Sequence, residues 1–184
     1  IVLDRPNPLG GEKIEGCLVE DGYISFVSQF KIPYLYGQTP GELALYLNAT
    51  DYENKCNLTV VKMEGWTRDM TWDETGLEWV VASPHVPHGQ SAIFYPVTGI
   101  FGEFSYISIG VGYTLPFEVM GAPWISADTL AEAMNALKLP GLEFRPIYYK
   151  PYYSTFNERW CKGRNFGTFK CTSRRNPQYL CRFL

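Results

Sequence analysis

The strongest structural signal in the sequence is the start of a helix that lies between two strand-like segments. Thr39 is a favourable N-cap, Pro40 suits the first helical position, and Glu42 completes a capping box. Segments rich in branched apolar residues precede and follow this helix, at residues 2–4 and 58–63. A helix between strands predicts a mixed fold of the α/β or α+β class.

The rest of the chain supplies further helix and strand signals. A second helix is predicted from Ser126, with apolar residues at helical spacing until Pro140 stops it. Residues 142–149 alternate as an edge strand does, and the short apolar run 92–96 predicts another strand. Residues 65–76 are too irregular for one regular element and predict a long, ordered, aromatic-rich loop, a kind of segment that often carries function.

The composition excludes several classes of function. The chain has 184 residues, of which 46% are hydrophobic, so it is globular rather than disordered. A net charge of −3 does not favour nucleic acid as a partner. No apolar run approaches the roughly 18 residues that a membrane-spanning helix needs. The sequence has two His and no CxxC pair, so we expect no metal site.

No local catalytic signature is present, but an ordered set of short motifs covers most of the chain. Triads, P-loops, HExxH motifs and dinucleotide-binding glycine motifs are all missing. The motifs are Leu3-Asp4-Arg5-Pro6-Asn7-Pro8, Glu15-Gly16, Tyr36-Gly37-Gln38-Thr39, Gly41-Glu42-Leu43-Ala44, Gly65-Trp66 with Arg68, Asp73-Glu74-Thr75-Gly76-Leu77 with Trp79, Ser83-Pro84, Tyr95-Pro96, Pro116-Phe117-Glu118, Gly121-Ala122-Pro123-Trp124-Ile125, Leu139-Pro140-Gly141, Phe144-Arg145-Pro146 and Cys161. In order and spacing, the set resembles the NamZ, or YbbC-like, family of exo-β-N-acetylmuramidases from residue 3 to about residue 163.

The resemblance implies a domain organisation and a reaction. Residues 1–30 would be the end of a Rossmann-like domain and its connection, and residues 31–163 a smaller C-terminal α/β domain. Residues 164–184 would form a divergent tail, and most of the Rossmann-like domain would be absent from this chain. The family removes terminal N-acetylmuramic acid from peptidoglycan fragments in a cleft between its domains, without a metal or organic cofactor. Its members are mostly secreted or periplasmic.

The resemblance also suggests residues for this chemistry. Hydrolysis of a glycoside needs a carboxylic acid to protonate the leaving oxygen, and Glu103 is the candidate catalytic residue. The candidate substrate-binding residues are polar or aromatic and fall near the expected cleft. They are Asp4, Arg5, Asn7, Arg68, Tyr95 and Arg145.

Several polar positions of the family are altered in this chain. Val111 stands where the family carries an Arg, whose guanidinium suits the lactyl carboxylate of muramic acid. Tyr36, Gln38 and His85 also replace the residues usual in the family. We therefore favour the hypothesis of a degenerate domain that acts as a binding or structural component of a larger protein assembly, which would permit a cytoplasmic or cytoskeletal location. The alternative is an active exo-β-N-acetylmuramidase that binds a muramyl glycan.

Overall fold

The computed structural model describes residues 1–53, 55–152 and 166–173, and the chain divides into two compact units. Unit 1 is Ile1–Glu78 and unit 2 is Trp79–Leu184. The domain boundaries expected after residues 30 and 163 stay predictions. Within the tail that is expected to diverge, residues 164, 165 and 174–184 lie outside the described residues.

The described residues of unit 1 form two small sheets, one α-helix and a single 3₁₀ turn. Strand β1 (Val2–Leu3) pairs in parallel with β4 (Val60–Val61), and β2 (Glu15–Leu18) pairs antiparallel with β3 (Pro33–Leu35). Helix α1 (Pro40–Thr50) lies in sequence between the two strands of the parallel pair, as the sequence predicts. Unit 1 therefore has a parallel strand pair with a helix in the connection, which is an α/β arrangement.

The start of α1 is fixed by the capping box that the sequence contains. The Thr39 hydroxyl accepts a hydrogen bond from the Glu42 backbone N–H, and the Glu42 carboxylate accepts one from the Thr39 N–H, which confirms the prediction. The helix then approaches β4 so closely that a Cβ at Gly41 would lie 2.5 Å from Val60 Cγ1. Glycine at this position lets the first turn of α1 pack against the strand.

The described residues of unit 2 form two α-helices and one antiparallel sheet. In chain order its elements are α2 (Gly89–Gly102), β5 (Val119–Ala122), α3 (Ala127–Ala136), β6 (Leu142–Tyr149) and β7 (Phe166–Ser173). The strand order is β5-β7-β6, so β6 lies at an edge as its alternating pattern predicts. The second predicted helix is confirmed as α3, and the central strand β7 has no counterpart among the sequence predictions.

The strand predicted for residues 92–96 is wrong, because these residues lie within α2. An apolar run of five residues does not distinguish a strand from part of a buried helix. The buried face of α2 includes Ser91, Phe94 and Thr98, which are three and four residues apart. Helical spacing over the longer window, and burial along one face, determine the conformation of this segment.

The core of unit 2 contains a buried tyrosine, Tyr149, near the end of β6. Its side chain packs with Val119, and its ring stacks on that of Tyr113 with a centroid distance of 4.7 Å. The phenol donates a hydrogen bond to Ser108 Oγ at 2.8 Å. Burial raises the pKa of Tyr149 to about 12, because the phenolate would lose its hydration in the core.

We expect this phenol to make unit 2 sensitive to alkali. The pKa of an unfolded tyrosine is about 10. Below pH 10 the phenol is therefore neutral in both the folded and the unfolded state, and Tyr149 makes its full contribution to the free energy of unfolding. That contribution declines as the pH rises toward 12, by about 2 kcal/mol at pH 11.5. Urea unfolding at pH 9 and pH 11.5 should show this loss in the native protein and a smaller loss in Tyr149→Phe. Equal losses in the two proteins would contradict the assignment.

Candidate functional site

In unit 1 the carboxylate of Asp4 occupies the N-terminus of helix α1. Its Oδ1 atom accepts hydrogen bonds from the backbone N–H groups of Gly41 (2.8 Å) and Arg5 (3.0 Å), and its Oδ2 atom accepts one from the Thr39 hydroxyl at 2.8 Å. A helix N-terminus favours negative charge because its first N–H groups have no partner within the helix. The anion site that this helix offers is therefore filled by the protein's own carboxylate.

Arg68 connects the loops around this helix start. One guanidinium nitrogen, Nη1, donates to the backbone carbonyls of Gly11 and Gly37, each at 3.0 Å. The other, Nη2, lies 2.6 Å from Oε1 of Glu42, the capping residue of α1. Arg68 is thus held by three acceptors of unit 1, which fixes the shape of the loops.

The side chain of Asn7 makes hydrogen bonds within unit 1, whereas the side chain of Arg5 is exposed. Asn7 Nδ2 donates to the Gln38 carbonyl, and its Oδ1 accepts from the Leu9 N–H, both at 3.0 Å. Arg5 is exposed. Of the four substrate-binding candidates in unit 1, Asp4, Asn7 and Arg68 take part in one connected set of loop contacts, whereas Arg5 faces solvent.

Two carboxylates of the 65–76 loop are poorly suited to donate a proton. Thr71 donates both its backbone N–H and its hydroxyl to Glu74, each at 2.7 Å, and these bonds lower the pKa of Glu74. A hydrogen bond from Thr67 lowers the pKa of Asp69. A lowered pKa favours the ionised form of each group, whereas a general acid must be protonated when it reacts. The loop itself is largely irregular, as predicted, apart from a 3₁₀ turn at Asp73–Thr75.

Unit 2 contains a buried carboxylate beside a half-exposed imidazole. The Glu118 side chain is 4% exposed, and its Oε1 lies 3.3 Å from Nε2 of His88, whose side chain is 41% exposed. The other ring nitrogen of His88, Nδ1, lies 3.3 Å from Oγ of the fully buried Ser91. Glu118 is the only buried carboxylate among the residues that the structure describes.

The backbone next to this pair is strained. Phe117 has a φ of 66°, which is uncommon for a bulky residue, and strain of this kind is often found at functional sites. Its carbonyl accepts a hydrogen bond from the Thr98 hydroxyl at 2.7 Å, and its ring meets that of Tyr95 edge to face, 4.9 Å between centroids. Contacts from α2 thus hold the conformation that places Glu118 against His88.

Both ring nitrogens of His88 make contacts, Nε2 with Glu118 and Nδ1 with Ser91, so the ring can exchange a proton with a bound molecule only when one of these contacts opens. A buried carboxylate can orient an imidazole and stabilise its cation, and imidazole is the side chain that most often acts as general acid or base in enzymes. Ser91 is fully buried, so its hydroxyl fixes the ring rather than attacking a substrate. We refer to Glu118 and His88 as the acid–base pair.

The remaining sequence candidates are exposed. Glu103 is the C-cap of α2, and Arg145 lies on β6. Tyr95, 47% exposed on α2, contacts the ring of Phe117, the residue that precedes Glu118. Sequence reasoning did not select Glu118, because its burial and its contact with His88, thirty residues away, are visible only in the fold.

Two negative findings concern the described part of the chain. Within it, no three His, Cys, Asp or Glu side chains cluster as a metal ion would require. None of its helices has the length and apolar character needed to cross a membrane.

Comparison with known sequences finds matches along almost the whole chain. The family described as "Exo-beta-N-acetylmuramidase NamZ, N-terminal" matches residues 1–90, and the corresponding C-terminal family matches residues 93–179. The curated protein "Peptidoglycan beta-N-acetylmuramidase NamZ" of Bacillus subtilis (strain 168) is 45% identical over 163 residues. That alignment covers 89% of this chain and 39% of the Bacillus protein.

Comparison with solved structures finds two proteins of the DUF1343 family from Bacteroides fragilis NCTC 9343. The first has a TM-score of 0.85 and 54% sequence identity, and the alignment covers 96% of this chain and 44% of that protein. The second has a TM-score of 0.65 at 24% identity, covers 98% and 46% respectively, and supports the fold alone. The chain spans less than half the length of each of these relatives.

Proposed function

Since the chain belongs to the NamZ family of exo-β-N-acetylmuramidases, we propose that the complete protein hydrolyses the glycosidic bond of a terminal N-acetylmuramic acid in peptidoglycan fragments. Unit 2 contributes the acid–base pair to this reaction. The Bacillus relative is named for the same chemistry and aligns with 89% of the chain.

The observation that carries the proposal is the buried Glu118 carboxylate held against His88. Glycoside hydrolysis requires a group that protonates the leaving oxygen and a group that activates water or stabilises the sugar cation. The two ring nitrogens of His88 contact Ser91 and Glu118, and its side chain is 41% exposed, so a substrate can approach the ring. A carboxylate beside an imidazole can balance the charge of a proton on the ring. We infer that the pair supplies the proton-transfer half of the reaction when substrate takes the place of one of these two contacts.

The test is turnover of a chromogenic β-N-acetylmuramide by the complete protein. We expect release of the chromophore from this substrate and little release from the matching β-N-acetylglucosaminide, which lacks the lactyl carboxylate. Comparable turnover of both substrates would contradict muramyl specificity. The absence of turnover of either would contradict the proposed hydrolysis.

A second candidate function is that of a domain that binds its glycan or a protein assembly without catalysis. Val111, where the family carries Arg, lies in a turn between Gly110 and Gly112 and offers no cation to a carboxylate. Saturable binding of muramyl fragments without any release of sugar would establish it in place of hydrolysis.

A further inference from the structure

Four aromatic rings form a connected group on unit 2, at the C-terminal end of α2. Phe101, Phe104, Tyr106 and Trp124 follow one another with centroid distances of 6.5, 5.6 and 6.2 Å. Phe104 is 43% exposed, Tyr106 51% and Trp124 61%. Single exposed apolar residues are ordinary, but a contiguous group of large rings at the surface indicates a binding site. We call this group the aromatic platform.

The same two elements that carry the acid–base pair lead to the platform. His88 is the N-cap of α2, whereas Phe101 and Phe104 lie at its opposite end, about 21 Å along a helix of fourteen residues. Glu118 directly precedes β5, and Trp124 follows that strand, which spans about 13 Å. Helix α2 and strand β5 therefore connect the platform to the proposed site. The platform is nevertheless too far from the acid–base pair for a single sugar bound at the pair to contact its rings.

The chemistry of the platform suits a sugar ring. The C–H groups on one face of a pyranose pack against the negative face of an aromatic ring, while hydroxyl and acetamido groups at the rim need hydrogen-bonding partners. Tyr106 and Trp124 each combine an apolar ring with a polar group. Glu103, exposed directly before Phe104, adds a carboxylate acceptor in the same segment.

We propose that the aromatic platform binds the glycan chain of peptidoglycan at sugars beyond the terminal residue, by stacking pyranose rings on Tyr106 and Trp124. The inference rests on the proposed function, because it takes the acid–base pair as the position of the terminal sugar. The platform retains a polymeric substrate, whereas a small monosaccharide glycoside does not reach it. Its role is binding of the chain rather than chemistry.

The test compares a polymer with a monosaccharide substrate, using the complete protein and the variants Trp124→Ala and Tyr106→Ala. We expect each variant to lose about tenfold in affinity for purified peptidoglycan glycan strands. The kcat and KM for the chromogenic β-N-acetylmuramide should stay as in the native protein. Phe26→Ala is the matched control, since Phe26 is 88% exposed in unit 1, outside the platform, and we expect native affinity.

Each other outcome overturns a defined part of the inference. Native affinity of both platform variants for glycan strands would show that the platform does not bind the chain. An equal loss on the monosaccharide would place the rings at the terminal sugar and would also overturn the proposal. Unchanged glycan affinity, together with a smaller oligomer than the native protein forms, would assign the platform to self-association instead. A native protein that neither binds strands nor turns over the monosaccharide would refute the proposed function itself.

Discussion

Replacement of Glu118 by glutamine is expected to lower kcat for a muramyl glycoside by about 1,000-fold, with little change in KM. Glutamine keeps the shape of the side chain but removes the negative charge that Glu118 Oε1 would place 3.3 Å from Nε2 of His88. General acid–base groups typically contribute about 10²–10⁴-fold to rate. His88→Gln should cause a similar loss, and the double variant should lose little more, because residues that act as a unit are not additive. The measurement is steady-state kinetics of each variant.

Two further variants decide whether the effect is specific. Glu132→Gln changes an exposed carboxylate on α3 and should keep native kinetics. Glu103→Gln tests the residue that sequence reasoning selected, and we expect it to retain turnover of the monosaccharide. A Glu118→Gln protein that folds normally and keeps native kcat would remove the acid–base pair from the mechanism, and a large loss in Glu103→Gln would restore the sequence candidate.

Replacement of Asp4 by alanine is expected to lower the free energy of unfolding of unit 1 by about 3 kcal/mol. The change removes the acceptors for the Thr39 hydroxyl and the Gly41 N–H, and both of these residues are buried. Hydrogen bonds to a charged group contribute about 1.5–3 kcal/mol each, and the carboxylate also complements the helix dipole. Urea unfolding of the complete protein, together with hydrogen exchange of the Gly41 amide, measures the effect.

Asp21→Ala provides the matched comparison for Asp4. The Asp21 side chain is 83% exposed and forms one surface ion pair, with Lys31 at 2.6 Å. A surface pair of this kind contributes about 0–1 kcal/mol, so we expect little change. If the two alanine variants proved equally stable, Asp4 would not support the helix start, and its assignment to substrate would gain weight.

Local sequence signals predicted those elements whose ends depend on neighbouring residues. The capping box at Thr39 and Glu42 located α1, and Ser126 located α3, because a cap is a contact between residues three apart. The strand predicted for residues 92–96 was wrong. The conformation of this segment depends on which face is buried against the rest of unit 2, and a short apolar run does not show that. Strand β7 is likewise defined by its partners β5 and β6, which lie far from it in sequence.

The candidate site was less predictable than the fold. Sequence patterns placed Asp4 at the end of a strand, which is confirmed, but they did not indicate that the N-terminus of α1 would engage its carboxylate. The pairing of Glu118 with His88 depends on burial and on contact between distant segments. The resemblance to the NamZ family is confirmed by the matches to both of its parts. The catalytic role expected for Glu103 and the substrate-binding roles expected for the six other candidates stay predictions; those six are Asp4, Arg5, Asn7, Arg68, Tyr95 and Arg145.

Mass spectrometry of the sugars that the complete protein releases from partially digested peptidoglycan tests exo-muramidase activity most directly. Two matched preparations of fragments are needed. In the first the non-reducing end is N-acetylmuramic acid, and in the second it is N-acetylglucosamine. We predict that free N-acetylmuramic acid accumulates from the first preparation and that nothing is released from the second. Release of N-acetylglucosamine, or fragments that stay intact while the protein binds them, would contradict exo-muramidase activity.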